Sequence, residues 1–205
     1  MKKINDKGFT LIELLAVIVI MGILMMVAIP AVSRTIENSR KDTFIDTAKL
    51  YADSVNTLWA ADGLTCGSSN TVSSAVDDGD YYVEINTKGK ALDATAGTLT
   101  GADVTVPTIV QSGGKSSWGN RDVYGYVRVN VATTGSGSDT KRLTKFYIVL
   151  NDGIRGIPAS VGNGTDATHT DAVESSKLVR GNLTMSGLGY ADGAVQTGWT
   201  TCKEN

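Results

Sequence analysis

Residues 8–30 have the sequence GFTLIELLAVIVIMGILMMVAIP, and this stretch determines how the rest of the chain is organised. From Leu14 to Ile29 the run contains no polar side chain. A helix over the 21 residues from Phe9 to Ile29 would be about 31 Å long, which matches the hydrocarbon core of a bilayer. The stretch therefore predicts a membrane-spanning helix that begins near Phe9.

A single carboxylate, that of Glu13, lies inside this apolar segment. An ionised group near the centre of a membrane helix costs roughly 2.5–3.5 kcal/mol or more, so such a residue is a functional candidate that needs a partner. If the chain were cut after Gly8, Phe9 would carry a free amine four residues before Glu13. An amine of this kind would neutralise the carboxylate in a low dielectric.

Length and charge limit the remaining possibilities. The chain has 205 residues and a formal net charge of −2, and about 170 residues follow Pro30, enough for one sizeable core. The first eight residues carry three lysines and one aspartate, a net charge of +2, which predicts that this end stays in the cytoplasm and the rest is exported. No basic excess indicates nucleic acid as a primary ligand.

The apolar segment is also compatible with a secretory signal peptide or with a plain signal anchor. A signal peptide has a basic start and an apolar middle, but this run is longer than a typical signal core and no A-x-A-like cleavage site follows it. A plain signal anchor would leave Glu13 without a purpose. The sequence therefore favours a helix that is retained and has a second role.

The quoted stretch resembles the N-terminus of type IV pilins and of the related pseudopilins. The resemblance implies cleavage between Gly8 and Phe9 by a prepilin peptidase, followed by N-methylation of Phe9. It gives Glu13 the role of an assembly contact to the amine of a neighbouring subunit. It also implies that Gly22 and Pro30 are helix-weakening positions.

Elementary helix chemistry agrees with this role for Gly22 and Pro30. Glycine weakens a helix by about 1 kcal/mol relative to alanine, and proline removes a backbone donor and clashes with the preceding turn. We expect at most a modest kink in the isolated subunit and local unwinding between the two residues in a filament.

A second helical pattern follows Pro30. Apolar residues recur at intervals of three and four, as on one face of an amphipathic helix, and Asp62-Gly63 predicts its end near Ala61. This apolar stripe consists of Phe44, Ala48, Tyr51, Val55 and Leu58. A β-sheet is needed to cover it.

Candidate strands come later in the chain. Residues 123–131 alternate in character and residues 145–150 are nearly all apolar, and the Gly/Ser-rich stretch between them predicts a hairpin. The predicted fold class is α+β: a long N-terminal α-helix packed on an antiparallel β-sheet head. Shorter candidate strands lie at 81–85, 104–106, 178–179 and 183–185.

The chain has two cysteines, Cys66 and Cys202, and neither lies in a CxxC pair. Thiolate metal binding is therefore disfavoured. In an exported domain the two residues predict a disulfide that fastens the chain end to the end of the helix. The alternative is two separate free thiols.

Signals for catalysis are poor. His169 is the one histidine and has no nucleophile motif near it, so a surface-loop residue is favoured. Residues 77–80, with the sequence DDGD, suggest calcium, but the downstream glutamate of an EF-hand is missing and a polar turn is favoured. We expect neither an enzyme nor a cofactor nor a metal site.

The expected organisation has four parts: a cleaved leader at 1–8, a membrane and filament-core helix at 9–30, an amphipathic half-helix at 31–61 and a head at 62–205. The expected function is a structural subunit of a type IV pilus, anchored in the cytoplasmic membrane as a precursor and extracellular once assembled. Its partners would be other copies of itself, a prepilin peptidase and the pilus assembly machinery. The alternatives are a pseudopilin of a secretion or DNA-uptake machine, and a membrane-anchored exterior enzyme or binding domain.

Overall fold

A computed structural model describes residues 8–68, 71–93, 96–104, 109, 114–136, 139–159, 172–195 and 198–205. The candidate strand at 104–106 extends beyond these residues, and His169 lies outside them. One α-helix and eight strands are described, besides short 3-10 helices. They are α1 (Leu11–Ala60), β1 (Leu64–Cys66), β2 (Thr71–Val72), β3 (Gly79–Asn86), β4 (Tyr124–Thr134), β5 (Lys141–Asn151), β6 (Gly156–Ile157), β7 (Val173–Glu174) and β8 (Thr200–Glu204).

The chain divides into two compact units, Met1–Arg40 and Lys41–Asn205, and α1 contributes to both. In the first unit the apolar side chains of α1 are exposed, and Phe9 just before the helix is 90 % exposed. This part of α1 is long and apolar enough to cross a membrane. An apolar helix surface without a covering layer requires either lipid or other protein around it.

In the second unit, one face of α1 packs on the sheet, which confirms the predicted α+β fold. Phe44 is fully buried and its ring lies 5.5 Å from that of Trp118, while the ring of Trp59 lies 5.8 Å from that of Tyr81. The buried Tyr51 hydroxyl donates a hydrogen bond to the Gly114 carbonyl at 2.6 Å. The predicted stripe is therefore the core face, with Trp59 more deeply buried than Leu58.

The sheet is built around the long hairpin of β4 and β5. These strands pair antiparallel from Tyr124↔Asn151 to Thr134↔Lys141, as the sequence predicts. The strand order is β2-β1-β8-β3-β4-β5-β6, with β7 also paired to β5. All of these pairs are antiparallel except β3 with β8, which run parallel.

The predicted edge strands at 178–179 and 183–185 do not form. Residues Arg180–Asn182 make a short 3-10 helix, and Thr184 makes only an isolated bridge to Gly156. The outer edge of β5 is covered instead by β6 and β7. Runs of two or three apolar residues are too short to determine strand pairing, because their partners are set by the rest of the fold.

The face of the sheet opposite α1 is also covered. Tyr126 and Val149 are buried there. Arg128 is almost fully buried, with its guanidinium 5.0 Å from the ring centres of both Tyr147 and Trp199, and it pairs with the carboxylate of Asp80 at 2.8 Å. The strand keeps its alternating pattern although both faces are covered, because Val127, Val129 and Val131 belong to the core with α1 while Arg128 and Asn130 on the other face are paired with Asp80.

The C-terminal strand β8 closes the sheet between β1 and β3. Cys202 lies directly opposite Cys66 of β1, and the two form a disulfide. The last residue, Asn205, donates from its backbone to the Gly63 carbonyl and from its side chain to the Asp62 carbonyl, both at 3.0 Å. The chain end is thus tied to the residues that follow α1.

Replacing both cysteines by serine should lower the free energy of unfolding by about 2–5 kcal/mol, because the bridge restricts the unfolded chain. The measurement is denaturant unfolding of the full chain in detergent. The control is the wild-type protein with and without reductant, which should reproduce the difference. An unchanged midpoint in the serine variant would contradict a stabilising role.

Phe44→Ala should destabilise the second unit by about 3–5 kcal/mol, because it removes a fully buried ring from the contact between α1 and the sheet. Leu50→Ala is the matched control, since Leu50 lies on the same helix with 50 % of its surface exposed, and we expect a change within about 0.5 kcal/mol. Thermal unfolding followed by near-ultraviolet circular dichroism measures both. Equal effects of the two substitutions would refute the assignment of the core face.

Candidate assembly site at the first turn of the helix

The first turn of α1 contains the carboxylate that the sequence singles out. Thr10 immediately precedes the helix, and its carbonyl accepts the first hydrogen bond of the helical ladder, from the Leu14 backbone N–H at 3.3 Å. Thr10 is therefore the N-cap. The first N–H groups of a helix have no partner inside it and need one from a side chain or from solvent.

Thr10 and Glu13 satisfy each other at this helix end. The Thr10 backbone N–H donates to Glu13 Oε2 at 2.8 Å, and the Thr10 hydroxyl donates to the same oxygen at 2.7 Å. In return, the Glu13 backbone N–H points to Thr10 Oγ1 at 3.4 Å, a long contact. This reciprocal arrangement is a capping box, in which threonine and glutamate stand three residues apart.

The capping box is a feature that the sequence predictions missed. The spacing Thr10-Leu11-Ile12-Glu13 is its signature and is sufficient to reveal it. The position of Glu13 in the apolar run predicts a charge that needs a partner from another subunit. The structure gives it a partner inside the chain as well.

The residues of the expected cleavage site are accessible. Gly8, Phe9 and Thr10 are all exposed and lie before the helix. A methyl group at Gly8 would meet no atom within 4 Å among the described residues. Neither secondary structure nor packing in the described part of the chain covers the bond between Gly8 and Phe9.

The structure places Gly22 and Pro30 inside an uninterrupted α1. A methyl group at Gly22 would meet open space, so packing among the described residues does not require glycine there. Just after Pro30, the hydroxyl of Ser33 donates to the Ile29 carbonyl at 2.9 Å, a contact that often accompanies helix bending. The unwinding expected in a filament stays a prediction.

Two of the three acidic side chains at 77–80 have structural partners. Asp78 accepts hydrogen bonds from the backbone and the hydroxyl of Thr133, which hold the pKa of its carboxyl below the usual range. Asp80 pairs with Arg128 and also accepts from the Asn130 amide at 2.8 Å. In the described ranges, no three acidic, histidine or cysteine side chains come together as a metal site.

Asp42 of α1 has a partner far away in sequence. Its two carboxylate oxygens accept from the Arg180 guanidinium at 2.8 and 2.5 Å, which fastens the segment around the 3-10 helix Arg180–Asn182 to α1. The hydrogen bond from Arg180 holds the pKa of the Asp42 carboxyl below its usual value. Helical spacing in the sequence does not reveal this pair, because periodicity reports only on neighbours along the same helix.

Residues 3–29 match the family described as the prokaryotic N-terminal methylation motif. This motif is characteristic of type IV pilins and pseudopilins, and it implies a structural protein of that type. Together with the apolar N-terminal helix it indicates membrane anchoring of the precursor. No solved structure matches the chain.

Proposed function

We propose that this chain is the precursor of a type IV pilin, which is cut after Gly8, methylated on Phe9 and polymerised into a filament on the cell surface. The observation that carries the proposal is the methylation motif at residues 3–29, with Glu13 in the first turn of an exposed apolar helix. The filament would serve adhesion, motility or biofilm formation.

The proposed assembly step follows from the charges at the helix start. Cleavage after Gly8 converts a neutral amide nitrogen of Phe9 into a cation. A Glu13 carboxylate in hydrocarbon gains when this cation on a neighbouring copy lies beside it. Charge pairing then sets the axial register between copies, and the exposed apolar side chains of α1 provide the adhesion.

A pseudopilin of a secretion or DNA-uptake machine is the second candidate, because the same motif is characteristic of both classes. Two features favour the pilus. Gly22 and Pro30 are both present, and the expected head at 62–205 is larger than a minimal pseudopilin head.

Mass spectrometry of the protein isolated from its own cells should give a mature chain that starts at methylated Phe9. The peptidase must approach the backbone closely, and the side chain of a larger residue at position 8 would obstruct it. Gly8→Val is therefore the control and should retain the leader. An intact Met1 in the wild-type protein, or a cut beyond Pro30, would refute processing of the pilin type.

Glu13→Ala should give subunits that are exported and anchored but poorly assembled, because the charge that sets the register is lost. The measurement is immunogold electron microscopy of filaments, with immunoblots of the sheared and membrane fractions. Asp53→Ala, which removes an exposed carboxylate from the part of α1 outside the apolar run, is the control and should assemble.

Filaments of normal number and length from Glu13→Ala would contradict the assembly role of the carboxylate. The same micrographs separate the two candidate functions. Long labelled filaments on wild-type cells support a pilus, and wild-type cells without them favour a pseudopilin.

A further inference from the structure

We propose that the face of the sheet turned away from α1 binds an acidic sugar, whose carboxylate is held by Arg128 between the rings of Tyr147 and Trp199. The site lies entirely in the second unit. The inference goes beyond the proposed function, because binding to a single subunit requires neither cleavage nor assembly.

Cross-strand pairing brings the residues of this site together. The strands β3, β4 and β5 are neighbours in the sheet, and alternate residues of a strand point to the same face. Two adjacent rows of side chains therefore cross this face. The first row consists of Tyr82, Arg128 and Tyr147, and the second of Asp80, Asn130 and Lys145.

The guanidinium of Arg128 is flanked by two aromatic rings, whose centres both lie 5.0 Å from its central carbon. Tyr147 belongs to β5 on one side of β4, whereas Trp199 directly precedes β8, which lies beyond β3 on the other side. The Arg128 side chain is only 8 % exposed, while Tyr147 and Trp199 are half-buried. The guanidinium thus lies at the bottom of a slot with aromatic walls.

Most of the hydrogen-bond donors of Arg128 are unused. Its Nε donates to Asp80 Oδ1 at 2.8 Å, but neither of its Nη groups has an acceptor among the described residues. The Nη groups are not among the fully enclosed polar atoms without a partner, so they reach the surface. A guanidinium has five N–H donors, and a nearly buried cation with free donors favours an anionic ligand.

The shape and charge of the site favour a carboxylate. The planar fork of arginine matches the two oxygens of a carboxylate, which it binds through parallel hydrogen bonds. Among the charged groups of the two rows, Arg128 and Lys145 outweigh Asp80 by one positive charge. Glu174, which lies opposite Tyr147 on β7, is already paired with Lys177 at 3.2 Å.

The surroundings of the guanidinium favour a sugar as the carrier of that carboxylate. One face of a pyranose ring presents C–H bonds that pack on an aromatic ring, while its hydroxyls need polar partners. The half-buried rings of Tyr147 and Trp199 provide the first kind of contact. Asp80 Oδ2 and the side-chain carbonyl of Asn130 provide acceptors for hydroxyls in the neighbouring row.

The alternative is that Arg128 serves only to hold this face together, through its rings and through Asp80. A ligand-observed NMR titration of uncut subunits in phosphatidylcholine nanodiscs distinguishes the two roles, since these lipids carry no sugar. Saturation-transfer signals give the Kd of three probes: glucuronate, glucose without the carboxylate, and acetate without the sugar ring. Subunits produced without a prepilin peptidase remain single, so the result does not depend on the proposed function.

We expect glucuronate to bind at least about tenfold more tightly than glucose or acetate, because only glucuronate uses both the fork and the rings. Arg128→Lys keeps the positive charge but loses the planar fork, and it should weaken glucuronate binding about tenfold. Lys88→Ala, which removes an exposed lysine beyond the far end of β3, is the matched control and should bind as the wild-type protein does.

Asp80→Asn keeps the test decisive if Arg128→Lys does not fold, which near-ultraviolet circular dichroism reveals. The asparagine retains the oxygen that accepts from Arg128 and Asn130 but lacks the negative charge. The affinity for glucuronate should therefore rise about threefold, because the repulsion between two carboxylates is removed. The affinity for glucose should not change.

Three outcomes would overturn the proposal. Without saturable binding of glucuronate, Arg128 is a packing residue only. If acetate binds as tightly as glucuronate, the aromatic walls contribute nothing and the ligand is not a sugar. If glucose binds as tightly as glucuronate, or if Asp80→Asn leaves the affinity for glucuronate unchanged, the carboxylate is not what the site recognises.

Discussion

The packing of one face of α1 against the sheet holds the head together. Phe44, Tyr51 and Val55 are fully buried there, and the hydroxyl of Tyr51 reaches the Gly114 carbonyl, which fixes the loop before β4 as well. The hairpin of β4 and β5 supplies the opposite side of this core. Without that face, the short strands at the edges of the sheet would have no surface to pack on.

The closure of the head is a second constraint and comes from the end of the chain. The strand β8 pairs with β1 on one side and with β3 on the other, so it connects the hairpin of β1 and β2 to the main sheet. The disulfide between Cys66 and Cys202 makes this connection covalent. The disulfide and the contacts of Asn205 together tie the C-terminal end of the head to the residues that follow α1.

The first turn of α1 meets a different physical requirement. A carboxylate in an apolar helix must find donors, and Glu13 finds two of them on Thr10. The capping box is compatible with the proposed charge pairing, because hydrogen bonds from Thr10 do not remove the charge of the carboxylate. A charged residue that has no partner in the sequence pattern can therefore find hydrogen-bond donors within its own turn.

Local patterns in the sequence predicted much of this protein. The apolar run predicts the exposed N-terminal helix, the three-and-four spacing identifies the buried face of α1, and the alternation at 123–131 locates β4. These features are readable because side-chain periodicity directly reflects helix and strand geometry. The stretch at 8–30 also carries the resemblance to pilins, which the methylation motif supports. The long helix and the central hairpin are formed by residues that are close in sequence. Glu13 is recognised by its position in the apolar run. The sequence alone is therefore enough to locate all three features.

The strand β8 could not be predicted in this way, because its residues Thr200–Glu204 are mostly polar and show no strand pattern. Its place and its parallel pairing with β3 follow from where the chain returns after the rest of the sheet has formed. The partner of Asp42 was hidden for the same reason, because Arg180 is 138 positions away. Only the folded molecule shows which distant segments close the sheet and fasten it to α1. Those contacts depend on the path of the whole chain.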